Sequence, residues 1–151
     1  DPNGCDDLYT HPGCLDFSNT LEPYREHRLC EEMTITPVPI KHSKMTFGYI
    51  IKGRREVVVY LSDCDGIGPE SASMIRESMP KVVIVDCSFP PEVGRNHLSL
   101  DRALPLLDEL GAHWLYLTHI GHDLENYLLS HPLPEDSRIL VARDGLTLNI
   151  D

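Results

Sequence analysis

Basic residues are scarce in this chain of 151: Lys and Arg total 13 against 24 Asp and Glu, a net charge of -11. A field of that sign repels polyanions unless a local basic patch or a metal opposes it. General nucleic-acid binding and anchoring to anionic lipid are therefore not expected. No apolar run approaches the roughly 18 residues of a membrane helix. The opening Asp1-Pro2-Asn3-Gly4 has no basic start and no apolar stretch, so no secretory leader is expected. The C-x-x-C spacing is missing, and the cysteines, Cys5, Cys14, Cys30, Cys64 and Cys87, are odd in number. A disulfide scaffold is not expected, and a reduced, cytoplasmic setting is. Internal repeats and Gly/Ser linkers are absent. Gly66-Ile67-Gly68 is followed by Pro69 and lacks the later Gly and Lys of a phosphate loop. No G-x-S-x-G occurs either.

What is present reads as one globular domain, with 41% hydrophobic and 25% charged residues. The first thirty residues are polar and read as loop plus a short helix, broken at His11-Pro12-Gly13 and Glu22-Pro23. Met33 to Ile40 reads as extended, with Pro37 and Pro39 restricting it to an edge or a strand end. Thr46 to Ile51 and Glu56 to Leu61 read as strands joined at Gly53-Arg54-Arg55. Glu70 to Ser78 is helical behind Pro69. Lys81 to Asp86 and Trp114 to Leu117 are short apolar runs typical of buried strands. Leu98 to Leu110 is an amphipathic helix ended by Gly111, in which Pro105 must sit near the first turns or kink it. Leu124 to Leu129 is a short helix. Arg138 to Ala142 and Leu146 to Ile150 flank Arg143-Asp144-Gly145, a hairpin signal. The mixture predicts an α/β layered fold.

Three apolar segments run into a metal-capable residue. Val57 to Ser62 leads to Asp63, Trp114 to Thr118 leads to His119, and Pro37 to Ile40 leads to Lys41 and then His42. In α/β sheets, sites gather at strand ends, and imidazoles with a carboxylate suit zinc, iron or manganese. A lone strand-end histidine is more often a capping or solvated residue; three such ends together point to a site. His119 and His122 lie three apart, a spacing common by chance. His97 follows a Pro-rich loop, as an exposed loop histidine or as a proton donor or electrophile near an anionic substrate. Asp86, after a buried run, is either a partner that orients a ligating histidine or a turn or capping residue. The cysteines read as small core residues or exposed thiols rather than nucleophiles.

These residues fall in an ordered series. His42-Ser43-Lys44-Met45-Thr46-Phe47-Gly48-Tyr49 is followed by Leu61-Ser62-Asp63, Val85-Asp86-Cys87-Ser88, Arg95-Asn96-His97 and Leu117-Thr118-His119-Ile120. The series resembles the C-terminal part of the metallo-β-lactamase superfamily, and within it the PhnP-like phosphoribosyl 1,2-cyclic phosphate phosphodiesterases of the carbon–phosphorus lyase pathway of phosphonate catabolism. Gly4 to Leu8, His11 to Ser18 and Asp144-Gly145-Leu146 resemble that family too. The implied fold is a partial αββα sandwich.

The resemblance also implies roles. His42 would ligate one metal, Asp63 would bridge two, and His119 would ligate the second. His97 would contact the substrate phosphate or assist the leaving alkoxide, and His122 would belong to a structural zinc site. Two divalent ions are implied, Mn²⁺ at the active site, with Zn²⁺ at the structural one. The family's H-x-H-x-D-H motif and its zinc-binding cysteines lie upstream of the matched region, and no H-x-H-x-D-H occurs here. The chain is thus expected to be a fragment, residues 1–151 forming the C-terminal part of one domain and inactive alone. Its expected partners are a small cyclic phosphodiester and a missing N-terminal half; a homodimer is the assembly to test for. Two alternatives stand beside this reading. One is a tRNA 3′-processing nuclease, disfavoured by the acidic charge. The other is a non-catalytic module that pairs with a partner half.

Overall fold

The computed structural model describes residues 20–135 and 137–149. The resembling stretches Gly4 to Leu8 and His11 to Ser18, with Cys5 and Cys14, lie outside the described residues, as does Ile150. Residues 20–30 hold a turn and no helix.

Apolar, β-branched runs set the strands. In chain order these are β1 (His27–Arg28), β2 (Thr34–Lys41), β3 (Thr46–Lys52), β4 (Val57–Leu61) and β5 (Gly66–Ile67). Then follow α1 (Pro69–Glu77), β6 (Val82–Asp86), α2 (Leu100–Ala103), α3 (Leu106–Glu109), β7 (Trp114–Thr118), α4 (His122–Ser130) and β8 (Ile139–Val141). One mixed sheet contains all the strands, in the order β1-β2-β3-β4-β6-β7-β8, with β5 beside β2. The β1 to β4 pairs are antiparallel, and β4, β6, β7 and β8 run parallel. The parallel half is built by helical crossovers, as parallel strands require. It therefore aligns the C-terminal ends of β4, β6, β7 and β8 along one edge.

One sheet face is packed. Val59, Leu61, Val83, Val85, Leu115 and Leu117 are fully buried and share a cluster with Ile75, Leu100, Ala103, Leu107, Leu110 and Leu124 from the helices. Each such aliphatic side chain contributes about 1.5–3 kcal/mol by leaving water. The opposite face differs. Tyr49, Tyr60, Ile84, Tyr116 and Leu140 are successive register partners across it. All five remain part-exposed, Tyr60 at 42% and Leu140 at 37%. The described residues thus form a helix layer on one side of a single sheet.

Three details differ from the sequence-based expectation. Pro37 and Pro39 lie in β2, which is flanked on both sides rather than being an edge strand. The physical reason is a gap in its outer pairing. β1 reaches Thr34 and Ile35, β5 reaches Ile40 and Lys41, and among the described residues no strand pairs between. There the Pro37 carbonyl accepts from the Tyr24 amide (2.8 Å) and the Pro39 carbonyl from the Ser71 hydroxyl (2.7 Å). Neither proline nitrogen is needed by a ladder. Secondly, Leu98 to Leu110 is two short helices: Pro105 caps α3 and separates it from α2. Thirdly, Arg143-Asp144-Gly145 is a turn but does not join a hairpin. β8 pairs parallel with β7, the Ala142 amide bonds the Leu117 carbonyl (2.8 Å), and residues 146–149 form no strand. The turn residues specify a local reversal only; burial against β7 decides what β8 pairs with.

Candidate metal centre

Asp63 follows β4 after Ser62, and His119 follows β7 directly; both hold left-handed backbone, at φ 57° and 59°. Asn96, beside His97, does the same at φ 64°. Such conformations cost about 1–3 kcal/mol each in non-glycine residues and gather at functional sites. They turn the chain sharply off the sheet, so that side chains from neighbouring strands converge instead of alternating.

Convergence is what results. Ligating atoms of Asp63, Asp86, His97 and His119 all lie within 4.8 Å of one another. His119 Nε2 is 3.3 Å from Asp63 Oδ1, and both side chains are about half exposed. The His97 ring sits between two others, with centroids 4.8 Å from His119 and 5.0 Å from His42. His42 Nδ1 is 2.7 Å from the Asn96 carbonyl oxygen. A carbonyl only accepts, so Nδ1 carries a proton, and in the neutral ring Nε2 keeps its lone pair.

Asp86 is fully buried and is the anchor of the group. Its carboxylate accepts from His97 Nδ1, from the Cys64 amide (3.1 Å) and from the Ser88 hydroxyl (2.9 Å). That Ser88 hydroxyl is also 3.0 Å from the His119 carbonyl oxygen, so its one proton serves either acceptor. Through these bonds one buried carboxylate fixes the His97 ring and ties together the loops after β4, β6 and β7. Among the described residues, no buried side-chain nitrogen or oxygen lacks a partner.

The turn between β7 and α4 needs its glycine. A Cβ on Gly121 would stand 2.3 Å from the Ser88 carbonyl oxygen. This close approach seats the His119 turn against the Ser88 strand end. An open cleft of about 1130 Å³ begins at His119 and continues past Leu128, Leu133 and Leu140 to Arg143.

The geometry sorts the sequence candidates. Asp63, His97 and His119 are brought together, and His42 joins them through its ring contact with His97. Asp86 orients His97 and not one of the three strand-end residues expected to ligate metal. His122 stands apart on the first turn of α4, largely exposed and 3.8 Å from Glu125. Among the described residues, no group of three potential metal ligands forms around it. Sequence reasoning missed Ser88 and the backbone groups of Cys64 and Asn96; no side-chain pattern advertises a backbone amide or carbonyl. The buried cysteines are inert. Burial pushes the Cys64 thiol up to about 11 and the Cys87 thiol up to about 12, with nearby Asp86 adding to both.

The converging group, two carboxylates and two imidazoles with the His42 ring beside His97, is a donor set of the kind that holds zinc, manganese or iron. The family model of the beta-lactamase superfamily domain matches residues 8–120. The chain belongs to this superfamily. Its fold is also that of several solved structures. A diphosphatase from the PhnP family shares 27% identity at a TM-score of 0.71, over 86% of this chain and 48% of that one. The metallo-β-lactamase fold protein YhfI from Bacillus subtilis shares 20% at 0.67, over 85% and 54%. The short form of human tRNase Z shares 17% at 0.60, over 81% and 44%. The last two establish likeness of fold alone. The chain spans about half the length of the proteins it resembles. No protein with a curated description matches it. Among the described residues, no helix is long and apolar enough to cross a membrane.

Proposed function

We propose that this chain carries one side of a two-metal phosphodiesterase site, whose substrate is 5-phosphoribosyl 1,2-cyclic phosphate and whose product is ribose 1,5-bisphosphate. The observation that supports it is the meeting of Asp63, His119 and His97 at one sheet edge. In this reading His42, Asp63 and His119 would be the metal ligands, with Asp63 shared between two ions. Divalent ions held there, Mn²⁺ by family resemblance, would supply Lewis-acid charge. A companion half supplies the remaining ligands and covers the open sheet face. His122 contributes to a separate structural Zn²⁺ site completed by that half.

His97 is the proton donor. Its Nδ1 is engaged by Asp86, which leaves Nε2 free for the reacting group. As an imidazolium it hands the Nε2 proton to the departing oxygen while water oxygen bonds to phosphorus. The bond that breaks joins phosphorus to the ribose 2-oxygen, and the water proton passes to solvent. Asp86 keeps the ring aimed throughout, and the cleft beside His119 receives the organic part of the substrate.

The test is hydrolysis of the cyclic phosphodiester by the intact protein. Turnover is expected, falling by about 10²–10⁴ in His97→Ala with metal content unchanged. Loss of metal in that variant would move His97 into the ligand set. A second reading, cleavage of a diphosphate linkage, is favoured by the likeness to a PhnP-family diphosphatase. Turnover of a diphosphate diester in preference to the cyclic compound would select it.

A further inference from the structure

We propose that Asn96 is a positioning residue: its left-handed backbone places one carbonyl to fix the His42 tautomer and, in the same turn, delivers His97 beside it. The proposal rests in part on the reading of His42 as a metal ligand.

The two imidazoles come from distant parts of the chain. His42 follows β2, and His97 lies in the long connection from β6 to α2, 55 residues later. Their rings nevertheless sit 5.0 Å apart, edge to face. Among the described residues, one hydrogen bond joins the two segments, from His42 Nδ1 to the Asn96 carbonyl oxygen (2.7 Å). Among the described residues, no other hydrogen bond reaches the His42 ring. The ring's direction and its tautomer therefore both depend on where that carbonyl points.

Every residue has a carbonyl, so the Asn96 side chain acts only through the backbone it permits. At φ 64°, Asn96 is in the region that asparagine and glycine tolerate and β-branched residues do not. The loop around it leaves little room for another solution. The Glu92 amide bonds Asp101 Oδ1 (3.1 Å), the Ser88 amide bonds the Leu98 carbonyl (2.9 Å) and the Leu100 amide bonds the Phe89 carbonyl (2.9 Å). With His97 held by Asp86 one residue later, a rotation at Asn96 swings its carbonyl off His42 or pulls His97 off Asp86. The first movement frees the His42 ring to take the other tautomer, with Nε2 protonated and unable to bind a metal, and the second releases the His97 ring beside it.

Two measurements test this. The first is ¹⁵N NMR of the imidazoles in the intact, metal-free protein, well above the usual histidine pKa near 6.5. His42 is expected with Nδ1 protonated and Nε2 bare; the reverse tautomer would overturn the proposal. The second compares Asn96→Gly with Asn96→Val in Zn²⁺ titrations and in the same spectra. Glycine should keep wild-type affinity and the His42 pattern. Valine should weaken Zn²⁺ binding by about 10–100-fold, the usual cost of losing a partner behind a ligand, and change the His42 pattern. A valine variant with both properties intact would overturn the proposal. If the wild-type protein takes up no Zn²⁺, the metal reading of His42 fails, and the tautomer alone decides the role of Asn96. The tautomer also decides if the valine variant does not fold.

Discussion

Asp86 has three donors on one buried carboxylate, and its fate under substitution separates orientation from charge. Asparagine fits the same space but brings two N–H donors and no negative charge. In Asp86→Asn one oxygen remains, so an N–H faces either His97 Nδ1 with the Cys64 amide or the Ser88 hydroxyl, and the His97 ring loses its anionic partner and can turn to the wrong tautomer. We expect turnover to fall by about 10²-fold or more. Stability should drop by about 1–3 kcal/mol, because the Cys64 amide or the Ser88 hydroxyl loses a good acceptor. Metal content should stay near wild type, since Asp86 touches His97 rather than His42, Asp63 or His119. Steady-state kinetics, urea unfolding and metal analysis on one preparation check all three. At this scale the sequence was informative where an apolar run ended in a polar residue. Asp63, His119 and His42 stood out for that reason. The partnership of Asp86 with His97 did not. It depends on how the loop between them folds back, and the left-handed turn at Asn96 that shapes this loop leaves no mark in composition.

Among the elements, the parallel strands were legible because Val82 to Val85 and Trp114 to Leu117 are short, apolar and bounded. The break at Pro105 followed from the missing N–H of proline. The true position of β2 did not follow, because a gap in outer pairing hid two prolines inside a sheet. The hairpin expected around Asp144-Gly145 failed because turn chemistry is local, whereas β8 is placed by its neighbour β7. The turn after β7 offers a direct test of how elements set the site. Gly121→Ala puts a methyl group 2.3 Å from the Ser88 carbonyl oxygen, which is backbone and cannot swing aside. We expect a loss of about 1–3 kcal/mol, the usual cost of overpacking. His119 should also move away from Asp63. Unfolding midpoints, together with the His119 imidazole resonances, measure both effects. An unperturbed His119 signal would mean that the turn does not set the site.

Across the whole molecule, the packed and the open face of one sheet divide the work. Helices bury one side, and the parallel strand ends gather the candidate ligands on one edge. The half-buried row from Tyr49 to Leu140 fits a domain whose relatives are about twice as long. The packed side also carries a pH signature. Cys64 and Cys87 ionise near 11 and 12 when folded, against an ordinary value of 9.0. The unfolded chain releases these protons first as pH rises. The stability contributed by the protonated thiols is therefore complete below pH 9 and is lost as pH climbs through 11 to 12. Unfolding free energy from urea curves should fall by about 2–3 kcal/mol between about pH 8 and pH 10, at about 1.4 kcal/mol per thiol and unit. Replacing both cysteines by alanine should flatten that slope.

Whether the strand ends of this sheet hold a divalent metal is tested by a calorimetric titration of metal-free intact protein with Mn²⁺ and Zn²⁺, wild type against Asp63→Ala. Wild-type protein should bind. Asp63→Ala should bind more weakly by more than the roughly 10–100-fold typical of an outer partner, because a ligand itself is lost. Equal affinity and stoichiometry in the two proteins would contradict the account.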